Sequence, residues 1–253
     1  MQNSAAIEIV NLTKRYKKKI NPTLNGLNLS IPQGSLFGIL APNGAGKTTT
    51  IEIICGLKKF DGGDVFVGGY SVKTDIRKIK KLIGLVPQDI ALFTSLTGRE
   101  NLTVIGGIYG IHKDELKSRI DTLLNQFGLT NSADKLITEY SGGMKRRINL
   151  IAGLLHAPEI LILDEPTVGV DAQSRNLILE ELIKINKTGT TILFISHYLE
   201  EAECICDTVA MMDGGKIVLQ GNPRTLTDSE PGCKNLEALY FKLTGKQMRD
   251  SYE

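Results

Sequence analysis

The sequence predicts an α/β fold built on a largely parallel sheet. Three observations predict it: short β-rich runs alternate with helical stretches, Ile160–Leu163 is continuously apolar as a strand buried on both faces would be, and a Gly-rich turn follows one strand and opens a helix. The chain has 253 residues, room for one large domain or two small ones. It is 42% hydrophobic and 23% charged, which excludes a mainly disordered chain, and its Gly and Pro content excludes a collagen-like one.

Ile7–Val10 reads as the first strand. Leu24–Ile31 alternates as a half-buried strand and ends in the turn Pro32-Gln-Gly34. Leu36–Leu40 is a buried strand, followed by a helix over 46–56. Asp64–Val67, bracketed by glycines, is a short strand of an antiparallel N-terminal piece, and 82–86 is the next strand. Between Gln88 and Leu155 helical periodicity dominates: Leu116, Ile120, Leu123, Leu124 and Phe127 share one helix face. This is expected to be a helical insert, about 88–155, between two parts of a core at about 1–87 and 156–230. After Ile160–Leu163 comes a helix over 171–187, expected to be supported by Glu180 and Lys184 at i,i+4. The strand Thr191–Ile195, a helix near Tyr198, the strand Thr208–Met212 and a terminal helix over 235–243, within a tail at 231–253, complete a single module.

The formal net charge of +2 gives no general basic field, so no nucleic-acid partner is expected. Four cysteines are too few for a disulfide framework, and without a secretory signal at the start a reducing cytosol is the simpler home. The most apolar window, Leu102–Ile111, is about half the length of a membrane-spanning helix.

Residues 41–48 read Ala-Pro-Asn-Gly-Ala-Gly-Lys-Thr. Gly44 and Gly46 let backbone N–H groups turn inward as an anion nest, the helix N-terminus adds partial positive charge and Lys47 a formal one. Thr48 offers a hydroxyl to Mg²⁺. The loop departs from G-x-x-x-x-G-K-[ST] at Ala41, whose single added methyl is expected to let it close. Asn43, Gly44, Ala45, Gly46, Lys47, Thr48 and Thr49 form the candidate nucleotide-binding set.

Asp164 and Glu165 stand at the carboxyl end of an apolar strand, where ligands of open α/β sheets bind. Asp164 is expected to hold Mg²⁺ and Glu165 to take a proton from the attacking water. Ser141, Gly142 and Gly143 open a helical stretch with exposed N–H groups, a second anion-seeking helix start. His197, just past the strand at 191–195, can hydrogen-bond a γ-phosphate or a water. Gln88, after Pro87, can ligate Mg²⁺ through its amide and feel the γ-phosphate, and joins Glu165 and His197 as a candidate catalytic residue. Tyr16 offers a ring to a base, while the lysines around it, Lys14 to Lys19, read as a solvated basic turn. His112 and His156 lack such settings, and Cys204-x-Cys206 lacks zinc spacing.

These residues, in this order, resemble the ATP-binding subunit of an ABC transporter, over almost the whole chain from about Ile7 to Leu243. Tyr16 looks like the adenine-stacking loop, residues 41–48 like Walker A, Gln88 like the Q-loop, and Tyr140-Ser-Gly-Gly-Met144 like the family signature. Leu161 to Glu165 looks like Walker B, Val168-Gly-Val-Asp171 like the D-loop, and His197 like the switch histidine. Tyr140 stands for the usual Leu of the signature, Met144 for its Gln, and Val-Gly-Val-Asp for the commoner Ser-Ala-Leu-Asp. The wording around the motifs is most similar to prokaryotic ABC-2-type exporters, which include drug and ion efflux systems. The resemblance implies ATP and Mg²⁺ as ligands. It implies a head-to-tail dimer with each ATP between Lys47 of one copy and Ser141–Gly143 of the other, hydrolysis with Glu165 as base, and a separate permease at the cytoplasmic face of the cell membrane. A soluble ABC ATPase, for example in iron–sulfur assembly, an importer subunit, and a P-loop kinase or GTPase are the alternatives. The last of these leaves the Ser-Gly-Gly segment unexplained.

Overall fold

In the computed structural model, residues 5–17, 20–230 and 232–245 are described. Lys18 and Lys19 of the basic run, and residues 231 and 246–253 of the expected tail, lie outside them. The strands are β1 (Ala5–Lys14), β2 (Leu24–Pro32), β3 (Leu36–Leu40), β4 (Gly62–Val67), β5 (Tyr70–Ser71), β6 (Ile83–Val86), β7 (Ile160–Asp164), β8 (Thr191–Ser196), β9 (Thr208–Asp213) and β10 (Lys216–Gly221). The helices are α1 (Lys47–Ile54), α2 (Ile76–Leu82), α3 (Gly98–Ile108), α4 (Lys113–Gln126), α5 (Gly142–Leu154), α6 (Ala172–Lys187), α7 (Leu199–Ile205), α8 (Pro223–Asp228) and α9 (Leu236–Thr244).

The main sheet has the order β10-β9-β3-β8-β7-β6; β9, β3, β8, β7 and β6 are parallel and β10 is antiparallel to β9. A second sheet, β2-β1-β4-β5, is antiparallel throughout. The α/β expectation and the antiparallel N-terminal piece are both present.

The continuously apolar strands are explained by two cores, one on each face of the main sheet. A strand sends successive side chains to opposite faces. Ile160 and Ile162 of β7, with Leu193 and Ile195 of β8, join a cluster that also holds Ile9, Leu27 and Val65 of the second sheet and Ile51, Ile53 and Ile54 of α1. Leu161 and Leu163, with Ile192 and Phe194, face the other way, into a cluster with Leu102 of α3, Leu124 of α4, Leu150 of α5 and Leu239 of α9. Each strand therefore needs large apolar residues at every position, and each face has a separate cover.

The structure also holds short elements that the sequence pattern did not reveal: α2, β5, β10 and α8. β10 alternates half-buried and exposed positions along its whole length, so its apolar content is diluted. The expected Glu180–Lys184 pair is not the one formed. Lys184 Nζ meets Glu181 Oε1 at 2.7 Å, one turn position closer, while Gln126 of α4 donates to the other Glu181 oxygen at 2.6 Å. Glu181 is buried against α4, so a cation on α6 is drawn to the desolvated charge rather than to the solvated one beside it.

Phe194 is fully buried between the sheet and the helical layer, whereas Ile108 at the end of α3 is 77% exposed. Phe194→Ala is expected to cost about 3–5 kcal/mol of unfolding free energy in urea, and Ile108→Ala less than about 0.5 kcal/mol. Equal losses at the two positions would contradict this placement of the core.

Candidate functional site

The site starts at the end of β3. Gly46 is the N-cap of α1 with φ 112°, and a Cβ there would lie 2.8 Å from Leu24 Cδ2, so both backbone conformation and space require glycine. α1 has no side-chain cap and no acidic residue in its first turn, which leaves its N-terminal partial charge uncompensated by the chain. Lys47, only 7% exposed, folds back over the loop; its Nζ donates to Ala41 O at 2.7 Å and Pro42 O at 3.4 Å. Among the described residues the non-glycine positions with positive φ are Asn11, Ala157 and Glu165. Ala41 is thus in a conformation open to any residue, and its carbonyl serves Lys47.

The end of β7 supplies Asp164 and Glu165, both buried. Glu165 has φ 50°, a conformation that costs a non-glycine residue about 1–3 kcal/mol and persists only where its surroundings enforce it. Its N–H donates to Ile195 O of β8 at 2.8 Å, and its Oε1 lies 3.3 Å from Lys47 Nζ. His197, just past β8, brings Nδ1 to 3.1 Å from the same Oε1, outside hydrogen-bonding geometry. Because β3, β8 and β7 are consecutive in the sheet, a cation, a histidine and a carboxylate from three strand ends converge on one point. Burial, and next the charge of Glu165, push the Asp164 carboxyl up to about 6, against the pull of Lys47 and Arg146.

A cavity of about 220 Å³ opens here, lined by Tyr16, Thr23, Asn43, Gly44, Gly46, Lys47, Thr48, Thr49, Gln88 and Glu165. Nearly all of the sequence-predicted first half is therefore together. Ala45 is buried behind the loop, donating its N–H to Pro42 O at 3.3 Å, and Asp164 lies behind Glu165 rather than on the wall. Tyr16 reaches in through its hydroxyl, 3.2 Å from Thr49 Oγ1, with Lys58 Nζ 5.3 Å from its ring centre.

Ser141, Gly142 and Gly143 do not line this cavity. Ser141 caps α5, accepting from Met144 N at 3.2 Å, and Gly142 is exposed. Gly143 corrects the expectation of an exposed glycine: it is buried, and a Cβ there would meet Ser174 Oγ at 2.3 Å and Asp171 Oδ2 at 3.1 Å. It is glycine because the start of α5 is pressed onto the cap of α6, where Asp171 Oδ1 accepts from Ser174 N at 2.8 Å. Tyr140 is buried and donates to Ser132 O at 2.6 Å.

Sequence reasoning missed Arg146. It is 6% exposed, and its guanidinium donates to Gln88 O at 2.6 Å and to Val168 O at 3.3 Å. It binds the Gln88 loop, α5 and the 168–171 loop into one body. The available signal was a basic residue at i+3 from Gly143, in line with Asn149 and Leu150 on one face of the helix. His156 lies outside the site, stacked on Tyr109 at 3.8 Å with Nε2 3.0 Å from Ile83 O, and His112 is exposed.

A triphosphate fits this donor set: an uncapped helix start, a glycine-turned loop and a buried ammonium. For Mg²⁺, no cluster of three His, Cys, Asp or Glu is found among the described residues, so the protein alone cannot cage the ion. Thr48, Gln88 and Asp164 are oxygen donors with one formal charge, which suits a hard cation that keeps waters and phosphate oxygens as its other ligands.

A family model described as ABC transporter matches residues 24–168. The chain is 46% identical over 220 residues to the linearmycin resistance ATP-binding protein of Bacillus subtilis, covering 87% of this chain and 70% of that protein. It is 39% identical over 236 residues to the Nod factor export ATP-binding protein I of Sinorhizobium fredii, covering 93% and 68%. Among solved structures, the ATP-binding subunit of an ABC transporter superposes with a TM-score of 0.85 at 26% identity, over 94% of this chain and 99% of that one. A dimeric ATP-binding cassette bound to ADP and Pi in a post-hydrolysis state superposes with 0.78 at 26% identity, over 85% and 98%.

The raised Asp164 carboxyl has a consequence for stability. A group that holds its proton more tightly when folded contributes stability that is fully present below its unfolded value, near 3.8, and is lost as pH rises through about 6. Asp164→Asn is therefore expected to stabilise the chelator-treated, nucleotide-free chain at pH 7 by on the order of 2 kcal/mol, an advantage that shrinks as pH falls from 6 toward 4. Denaturant melts across that range give the comparison; a constant or absent advantage would contradict a costly buried charge.

Proposed function

The chain belongs to the ABC transporter family, and on that premise we propose that it is the ATP-binding and ATP-hydrolysing subunit that powers a separate membrane permease, of the ABC-2 exporter type. The observation that carries the enzymatic part is the junction of Lys47, Glu165 and His197: Lys47 and Glu165 line the loop cavity, and His197 reaches the same Glu165 oxygen from beside it. The relatives are named for linearmycin resistance and Nod factor export, which supports efflux over import and over a soluble role such as iron–sulfur assembly. Among the described residues no helix is long and apolar enough to cross a membrane. The relatives are named as ATP-binding proteins of resistance and export, and the reading assigns passage of cargo to a separate permease, with this chain held at the cytoplasmic face through it.

In this reading Asn43, Gly44 and Gly46 to Thr49 wrap the phosphates with backbone N–H groups, Lys47 places its ammonium against the terminal ones, and Tyr16 takes the base. Thr48, Gln88 and Asp164 hold Mg²⁺, which when bound draws charge from the phosphate oxygens. Glu165 accepts a proton from water near its Oε1, and His197 steadies that water or the γ-phosphate from the next strand. The site is half complete. Ser141 and Gly142, the exposed anion-seeking helix start, lie off the cavity, so a second copy arranged head to tail supplies them from the opposite side. The dimeric cassette among the structural relatives supports pairing. In the same reading the chain is one module, with its helical segment at about 88–155 set between the two parts of the core. Arg146 carries closure from Gln88 to the 168–171 loop, and the helical segment passes it on to the permease.

Glu165→Gln is expected to slow ATP hydrolysis by about 10²–10⁴-fold while nucleotide still binds, read by phosphate release and by nucleotide titration. Turnover at the unmodified rate would remove Glu165 from the role of base. Lys47→Ala is expected to weaken ATP binding by about 1.5–3 kcal/mol, and an unchanged titration would contradict its contact with phosphate.

A further inference from the structure

Glu201 is a buried acid that the chemistry above does not use. It lies on α7, the helix that starts directly after His197 and Tyr198, and is 5% exposed. Its Oε2 accepts from the Thr167 hydroxyl at 2.6 Å, a bond between two buried side chains 34 residues apart. Thr167, 1% exposed, sits two residues past Glu165 in a turn closed by Val168 N donating to Glu165 O at 3.3 Å. The other Glu201 oxygen lies 3.4 Å from Arg175 Nε of α6, outside hydrogen-bonding geometry, and both of these atoms are buried without a hydrogen bond. Arg175 in turn lies 5.8 Å from the Tyr198 ring, which packs 4.2 Å from the His197 ring.

We propose that Glu201 is a positioning residue for hydrolysis: by holding the Thr167 hydroxyl it fixes the Glu165–Val168 turn against α7, and so keeps Glu165 aimed at Lys47 and His197. The inference rests on the catalytic role given to Glu165 above. Glu165 occupies a strained φ of 50°, and strain is kept only where neighbours enforce it. Its N–H bond to Ile195 O holds the near side of the turn, and Thr167–Glu201 holds the far side. The helix that provides the anchor starts two residues past His197, so one contact sets the distance between the two polar groups facing the reacting water. Arg175, on the helix capped by Asp171, gives this anchor a second attachment to the 168–171 loop. A buried carboxylate is costly unless hydrogen-bonded, and one placed here for packing alone would be better replaced by an apolar side chain.

The test uses Thr167→Val, Thr167→Ser, Glu201→Ala, the Thr167→Val/Glu201→Ala double variant and Glu165→Gln in the full chain. It measures kcat, KM and ATP binding, with a thermal melt for each. Thr167→Val and Glu201→Ala are each expected to lower kcat about tenfold with KM and ATP affinity within about twofold, the loss of one charge-assisted hydrogen bond expressed in the transition state. Thr167→Ser, which keeps the hydroxyl, is expected to restore most of the turnover. The double variant is expected to be no slower than Glu201→Ala alone, because both remove the same contact. Unmodified kcat in Thr167→Val, or full additivity in the double variant, while Glu165→Gln is inactive, would overturn the positioning role and leave the role of Glu165 standing. Unmodified turnover in Glu165→Gln would overturn both.

Discussion

The structure depends on a buried pair of opposite charges 3.3 Å apart: Lys47, which opens the helix after β3, and Glu165, just past β7, a strand that is not β3's neighbour in the sheet. Such pairs seldom add net stability, because desolvating both groups costs about as much as their attraction returns. Several features around them exist to hold the pair: the folded-back loop whose carbonyls take Lys47, the strained backbone at Glu165, and the bond from Glu165 to β8 between them. The protein keeps a charge-rich, strained junction where apolar packing would be more stable, and that is the signature of a site rather than of a core.

The two apolar cores make this possible. β7 and β8 are covered on both faces, so their carboxyl ends are rigid and can present polar groups without loosening. α1 is packed between the sheets through Ile51, Ile53 and Ile54 while its N-terminus faces the cavity. α5 is anchored by Arg146 and by the contact of Gly143 with the α6 cap, so Ser141 and Gly142 stand out from a fixed base. The loop cavity is concave and cationic, the start of α5 is exposed, and within one chain they do not meet; in the proposed reading they are the two halves of one site.

Much of this was legible in the sequence because it rests on short-range chemistry. The turn from β3 to α1 is written in Gly44, Gly46 and Lys47, and the double-sided burial of β7 in four consecutive apolar residues. Conversely, Arg146 could not be found by pattern, since its importance lies in reaching Gln88 and Val168, 58 and 22 residues away. The exposure of Gly143 was misjudged for the same reason: what covers it, Ser174, comes from a different helix. Lys184 pairs with Glu181 and not Glu180 because burial by α4 strengthens one charge, a fact absent from helical spacing. β10 is nearly invisible because every second residue of it is exposed and the rest are only half-buried.

The central claim is that one chain holds only half of an ATP site. Sedimentation velocity of the Glu165→Gln chain with Mg²⁺, with and without ATP, tests it most directly when Ser141→Arg is added as a second arm. The account predicts that ATP doubles the mass of the Glu165→Gln chain, and that Ser141→Arg abolishes the doubling while a nucleotide titration still shows binding at the loop. A chain that stays monomeric at saturating ATP, or that pairs equally well with arginine at position 141, would contradict it.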